Sequence, residues 1–152
     1  MNQITSTIIK HTGTYKGIGI NHDGDKFTGL FQLTPIIDNK GIEISFTAKG
    51  EDGTIYHQEK STIAPSEDGT ICLWTLNNNV PFQYAHELEE CETVEGAKNT
   101  FKFSHNKPSD LDKFREAISI DIWANGDISY RYAWGMPNGE FEDRSGLRMT
   151  KQ

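Results

Sequence analysis

Five Asp-Gly and Asn-Gly dipeptides, at 23–24, 52–53, 68–69, 125–126 and 138–139, cut this chain into short lengths. The pair supplies cheaply the positive φ that both central residues of a tight hairpin turn often require. Between these turns the sequence alternates with period two. "GIEISFTAK" sets Ile42, Ile44, Phe46 and Ala48 on one face and Glu43, Ser45, Thr47 and Lys49 on the other. "NTFKFSH" lines up Phe101, Phe103 and His105. "AISIDIW" lines up Ile118, Ile120 and Ile122, and "DISYRYAW" lines up Ile128, Tyr130, Tyr132 and Trp134. Such alternation describes half-buried antiparallel strands.

Ten segments qualify: 13–20, 27–37, 41–49, 54–64, 70–77, 81–89, 99–105, 115–124, 127–134 and 141–150. Helical signal is confined to Ser109 with Asp112, which predicts a short capped helix in "SDLDKFRE", and to one further turn within 3–11. The string "EDGTI" occurs twice, at 51–55 and 67–71, but the similarity ends there and marks successive hairpins rather than a repeat array. The fold class is therefore all-β: one domain over 1–152, an antiparallel up-and-down barrel of about ten strands with one or two helical turns. A barrel of this size encloses packed side chains or one small ligand.

Composition narrows the partners. Lys and Arg total 15 against 22 Asp and Glu, a net charge of -7, and no basic cluster stands out, which argues against nucleic acid. No apolar run approaches the roughly 18 residues of a membrane span. The start, "MNQITSTIIKHTG", lacks the features of a signal peptide, and two cysteines are too few for a disulfide framework, so a cytoplasmic setting is expected. Oligomeric state has no signature.

The stretch "HTGTYKGIGINHDGDKF" invites a phosphate-loop reading, which fails. Its order is G-x-x-x-G-x-G, no helix follows, and no Gly-Lys-Ser/Thr is present. As a strand it places Gly13, Tyr15, Gly17 and Gly19 on one face. Glycines there permit a sharp curl and leave lumen volume unfilled; bending alone, with no ligand, is the alternative.

"GTYKGIG" at the head of the first strand, with Arg148 (or Arg144) in the closing strand "GLRMTK", resembles the calycin superfamily of lipocalin and fatty-acid-binding barrels. That superfamily commonly has Gly-x-Trp where Tyr15 stands. The resemblance implies that Arg148 packs against Tyr15 and closes one end. The layout "DGTIYHQEKSTIAPSEDGTICLW" is similar to nitrobindin-like barrels, which bind haem through a histidine near the C-terminus. "EFEDRSGLRMTKQ" contains no histidine, so haem is not carried over and no cofactor is expected.

The candidate ligand-binding residues are Tyr15, Phe46, His57, Glu59, Tyr84, His86, Phe103, Tyr130 and Tyr132. In 54–64, Ile55, His57, Glu59, Ser61 and Ile63 share a face, and His57 with Glu59 could orient a polar group or act as an acid–base pair. They could equally be solvated or satisfied core polars. His86 is in phase with Phe82, Tyr84 and Leu88. Convergence of His57, His86 and His105 on a metal is possible in principle but not the usual outcome, and no metal is assigned. Trp74 and Trp123 fall out of phase, while Arg131 faces outward. No catalytic residue is assigned, because no spacing marks a nucleophile. The leading reading is binding of a small, largely apolar molecule in the lumen. The alternatives are a barrel isomerase or cyclase using His57 or His86, and a packed domain without ligand.

Overall fold

The computed structural model describes residues 2–152. In chain order its elements are α1 (Gln3–Ile9), β1 (Gly13–Ile20), β2 (Lys26–Ile36), β3 (Gly41–Gly50), β4 (Ile55–Pro65), β5 (Ile71–Asn77), β6 (Tyr84–Glu89), β7 (Ala97–His105), β8 (Arg115–Trp123), β9 (Ile128–Gly135) and β10 (Glu142–Lys151). Each strand pairs antiparallel with its neighbours in sequence, and β1 pairs with β10 to close the barrel. The expected all-β barrel of ten strands is what forms.

The turns explain why the dipeptides work, and the explanation differs from the expectation. Gly24, Gly53, Gly69 and Gly126 take φ of 84° to 89°, but the Asp or Asn before each keeps an ordinary φ. Each loop is a type I turn followed by a left-handed glycine, the three-residue hairpin. In three of the four the acidic or amide residue contributes its side-chain oxygen instead; in the β1–β2 turn Asn21 does so, accepting from the amides of Asp23 and Asp25. Asp52 Oδ1 accepts the Thr54 amide at 2.9 Å, Asp68 that of Thr70 at 2.9 Å, and Asn125 that of Asp127 at 3.0 Å. At 138–139 the roles reverse, and Asn138 takes the positive φ of 61°.

The helix lies at 3–9, within the segment given only one further turn. Asn2 caps it by accepting the Ile4 amide at 2.8 Å, and Ile8 is fully buried against the barrel. The predicted helix in "SDLDKFRE" does not form. Turns occupy 108–113, and Arg115 fixes them by donating to the carbonyls of Pro108, Lys113, Met136 and Gly139. Four carbonyl acceptors hold this loop to the one after β9, which an independent helix would not allow.

Inside the barrel the ladder at one level runs Tyr15, Phe31, Phe46, Glu59, Asn77 from β1 to β5. The lumen thus changes from aromatic to polar around its circumference. Gly17 and Gly29 face each other across β1 and β2. A Cβ on Gly17 would strike the backbone oxygen of Arg148, and one on Gly29 would strike Leu147. The glycines bring β10 close, and Met149 and Leu147 occupy the space they release. The expectation that they leave the lumen unfilled is corrected.

The Tyr15–Arg148 closure also needs correction. The β1–β10 register pairs Tyr15 with Lys151 and Lys16 with Thr150, so Arg148 sits on the outward face. Its guanidinium donates to Asp127 at 2.9 Å and stacks 4.0 Å from the Trp123 ring centroid. Tyr15 points inward, donates to the His11 carbonyl at 2.7 Å, and packs edge-on against Phe31.

Candidate functional site

A cavity of about 460 Å³ opens at the end of the barrel opposite α1. The β1–β2 turn (Asn21, His22, Asp23), the β5–β6 loop (Asn79, Val80), Phe114 before β8 and Met136 after β9 form its rim. Its walls carry seven aromatic rings: Phe27, Phe46, Tyr56, Phe114, Tyr130, Tyr132 and Trp134. His57, Asn77 and Glu116 are the convergent polar groups. Among the described residues, no Lys or Arg lines it.

Two buried carboxylates organise the polar side. Glu59, on β4, is 3% exposed. Its Oε2 accepts the Tyr130 hydroxyl at 2.6 Å and the Ser61 hydroxyl at 2.6 Å. Its Oε1 accepts His57 Nε2–H at 2.9 Å and the Tyr132 hydroxyl. Asn79 donates its amide to His57 Nδ1 at 3.0 Å, which leaves the imidazole proton on Nε2 facing Glu59. A carboxylate buried with four donors is satisfied, and removing any one donor uncovers part of its desolvation cost.

Glu116, at the start of β8, is 6% exposed. The Tyr84 hydroxyl at 2.6 Å and His86 Nε2 at 2.9 Å both meet its Oε1. No protein donor among the described residues meets Oε2, and the residue lines the cavity. His86 is fully buried and its Nδ1 has no partner among the described residues. Burial, followed by the Glu116 charge, pushes the Tyr84 phenol well above its ordinary value; burial and the Glu59 charge do the same to Tyr130. Both stay protonated and donate.

The nine sequence candidates fall into three layers. Phe46, His57, Tyr130 and Tyr132 line the cavity. Glu59, Tyr84 and His86 lie behind the wall and hold its polar groups. Tyr15 and Phe103 are buried but outside the cavity lining. Phe82, in phase with Tyr84 on paper, precedes β6 and is exposed, because the chain bends at Pro81 and Phe82. Ile55 is likewise turned out. A β-bulge opposite Lys49 breaks the alternation and rotates Tyr56 into the cavity instead. Gly50 makes room for it: a Cβ there would sit 2.6 Å from Tyr56 Oη.

Sequence reasoning missed Glu116, Asn77, Asn79 and Tyr56. Glu116 was within reach, since it is in phase with Ile118, Ile120 and Ile122. Asn79 sits in a loop, where alternation has no meaning. His57, His86 and His105 do not converge. His105 donates Nδ1–H to the Ala85 carbonyl at 2.9 Å, and no three His, Cys, Asp or Glu among the described residues group around a point that could hold a metal ion. His22, expected beside a turn and exposed, stands on the rim edge-on to Trp134; His11 is half-buried.

No protein-family description matches this chain, and no curated protein is detectably similar in sequence. Among solved structures, Rv2717c from M. tuberculosis superposes with a TM-score of 0.72 at 10% identity, over 100% of this chain and 99% of that one. The redesigned β-barrel mFAP0, solved bound to DFHBI, is a looser match: TM-score 0.44 at 14% identity, over 91% and 97% of the two chains. The first likeness extends to the whole fold. No helix among the described residues is long and apolar enough to cross a membrane.

Proposed function

We propose that this chain is a calycin-like binding protein, one domain that holds a small, largely apolar molecule in the open end of its barrel. The cavity carries the reading: about 460 Å³, walled by aromatic rings, with His57, Asn77 and Glu116 converging on it. Pockets for small ligands combine an apolar lining with a few placed polar groups in this way. Phe46, Tyr130, Tyr132 and the ring of His57 supply contact area, Glu116 orients the ligand's polar end, and Glu59, Tyr84 and His86 keep those groups in place.

Binding is favoured over acid–base catalysis by the histidines themselves. Both nitrogens of His57 are engaged, by Glu59 and Asn79, and His86 is sealed from the cavity behind Glu116. Neither presents a free nitrogen to a substrate. Cys72 and Cys91 are free thiols, in keeping with the cytoplasmic setting we propose.

Ala48, on the cavity wall and 4% exposed, gives the test. The neutral dye Nile red is expected to bind one-to-one and gain fluorescence. Ala48→Trp, which fills the cavity, is expected to weaken it about tenfold or more, a change of about 1.4 kcal/mol in binding, with the far-ultraviolet spectrum retained. Absence of binding, or binding indifferent to Ala48→Trp, would overturn the proposal.

A further inference from the structure

We infer that the ligand of this cavity is an organic cation, a protonated or quaternary amine on an apolar body. The inference rests on the lumen-binding reading above and adds the sign of the charge. Its first support is the asymmetry of Glu116. Oε1 holds both protein donors, from Tyr84 and His86, while Oε2 meets none and the side chain faces the cavity. The residue is 94% withdrawn from water, yet this one oxygen stays open to the cavity, where water or the positive group of a ligand completes it.

The second support is the aromatic wall, which runs from Trp134 beside Glu116 to Phe46 on β3. Phe46, Tyr130, Tyr132 and Trp134 present ring faces or edges to the same space. Aromatic faces attract alkylammonium groups, and rings set around a carboxylate make the cage that recognises such cations. Two further carboxylates lie nearby. Glu59 stands behind the rings and Asp23 on the rim, and no Lys or Arg among the described residues lines the cavity.

The arginines nearby are committed elsewhere. Arg115 spends its donors on four carbonyls. Arg144 stacks on Trp134 at 4.1 Å and donates to the Trp134 and Glu140 carbonyls. A fatty acid or other carboxylate would bring a second anion to Glu116 and find no cation to meet it. The site therefore selects against the anionic ligands that a fatty-acid-binding layout would suggest.

Three probes with one apolar chain separate these possibilities: decyltrimethylammonium, 1-decanol and decanoate, each below its micellar concentration, titrated by calorimetry and by tryptophan fluorescence. The cation is expected to bind about tenfold or more tightly than the alcohol, with decanoate weakest. Glu116→Gln is expected to bring cation and alcohol within about threefold of one another. Equal binding of cation and alcohol by the unaltered chain, tightest binding of decanoate, or a cation preference that survives Glu116→Gln would each overturn the charge assignment while leaving lumen binding in place. Failure of all three probes would instead remove the lumen reading, and this inference with it. The comparison on the unaltered chain stands even if Glu116→Gln does not fold.

Discussion

At the scale of single residues, the interior is governed by two glutamates that differ in completeness. Glu59 has four donors and is finished; Glu116 has two donors on one oxygen and is not. Their charges act back on the tyrosines that serve them, and this gives a prediction with a defined sign. Burial first, and then the glutamate charges, raise the phenols of Tyr84 and Tyr130 above their ordinary value of 10. The unfolded chain releases these protons near pH 10, whereas the folded barrel retains them. The stabilisation is complete below pH 10 and is lost as the pH climbs beyond it. Alkaline titration is expected to show tyrosinate absorbance from these residues rising together with loss of the β circular-dichroism signal. Tyr130→Phe is expected to flatten the alkaline fall in stability. Phenolates of both tyrosines forming in an intact barrel would contradict this account. Much of this chemistry was legible beforehand: His57, Glu59, Tyr84, His86, Tyr130 and Tyr132 all came from strand phase alone. Which oxygen each side chain meets was not legible, because partners such as Tyr130 and Glu59 are 71 residues apart.

Elements were the most legible scale, because period-two alternation and turn residues are local properties. Every strand lies within a few residues of its expected place. The departures come from interactions that alternation does not encode. The bulge opposite Lys49 turns Ile55 out and Tyr56 in, and the carbonyl contacts of Arg115 keep "SDLDKFRE" out of a helix. The glycines of β1 were correctly placed on the inner face, with unfilled lumen space and bending alone both left open, and close packing against β10 decides against the first. Their role is the seam with β10, and it can be measured. Gly17→Ala drives a methyl group into the Arg148 backbone oxygen, whereas Gly29→Ala meets the movable end of Leu147. Gly17→Ala is expected to cost about 1–3 kcal/mol in urea denaturation, the usual range for overpacking, and Gly29→Ala less. Equal costs would mean that the seam has slack.

For the whole molecule, strand order equals chain order, and among the described residues the only pairing between strands distant in sequence is β1 with β10. Such a meander specifies itself from pattern rather than from particular residues, which is consistent with a shared fold at 10% identity in Rv2717c. The seam also sets the start of β1 beside the end of β10: the Gln152 amide donates to the Thr14 carbonyl at 2.8 Å. Hairpins arranged this way form a ring whose starting point is arbitrary. A circular permutant, with Gln152 joined to the segment before α1 by a flexible linker and the chain reopened in the β2–β3 turn, is expected to fold and to bind Nile red as the parent does. That turn holds Ile37, Asp38 and Asn39 all at positive φ and lies away from the cavity, so a cut there releases backbone strain rather than adding it. Reopening at Asn79 would instead cut the loop that fixes the His57 tautomer, and the binding curve would shift. The barrel is in this sense a necklace with a movable clasp, and only the clasp positions on the far side from its pendant leave the pendant undisturbed.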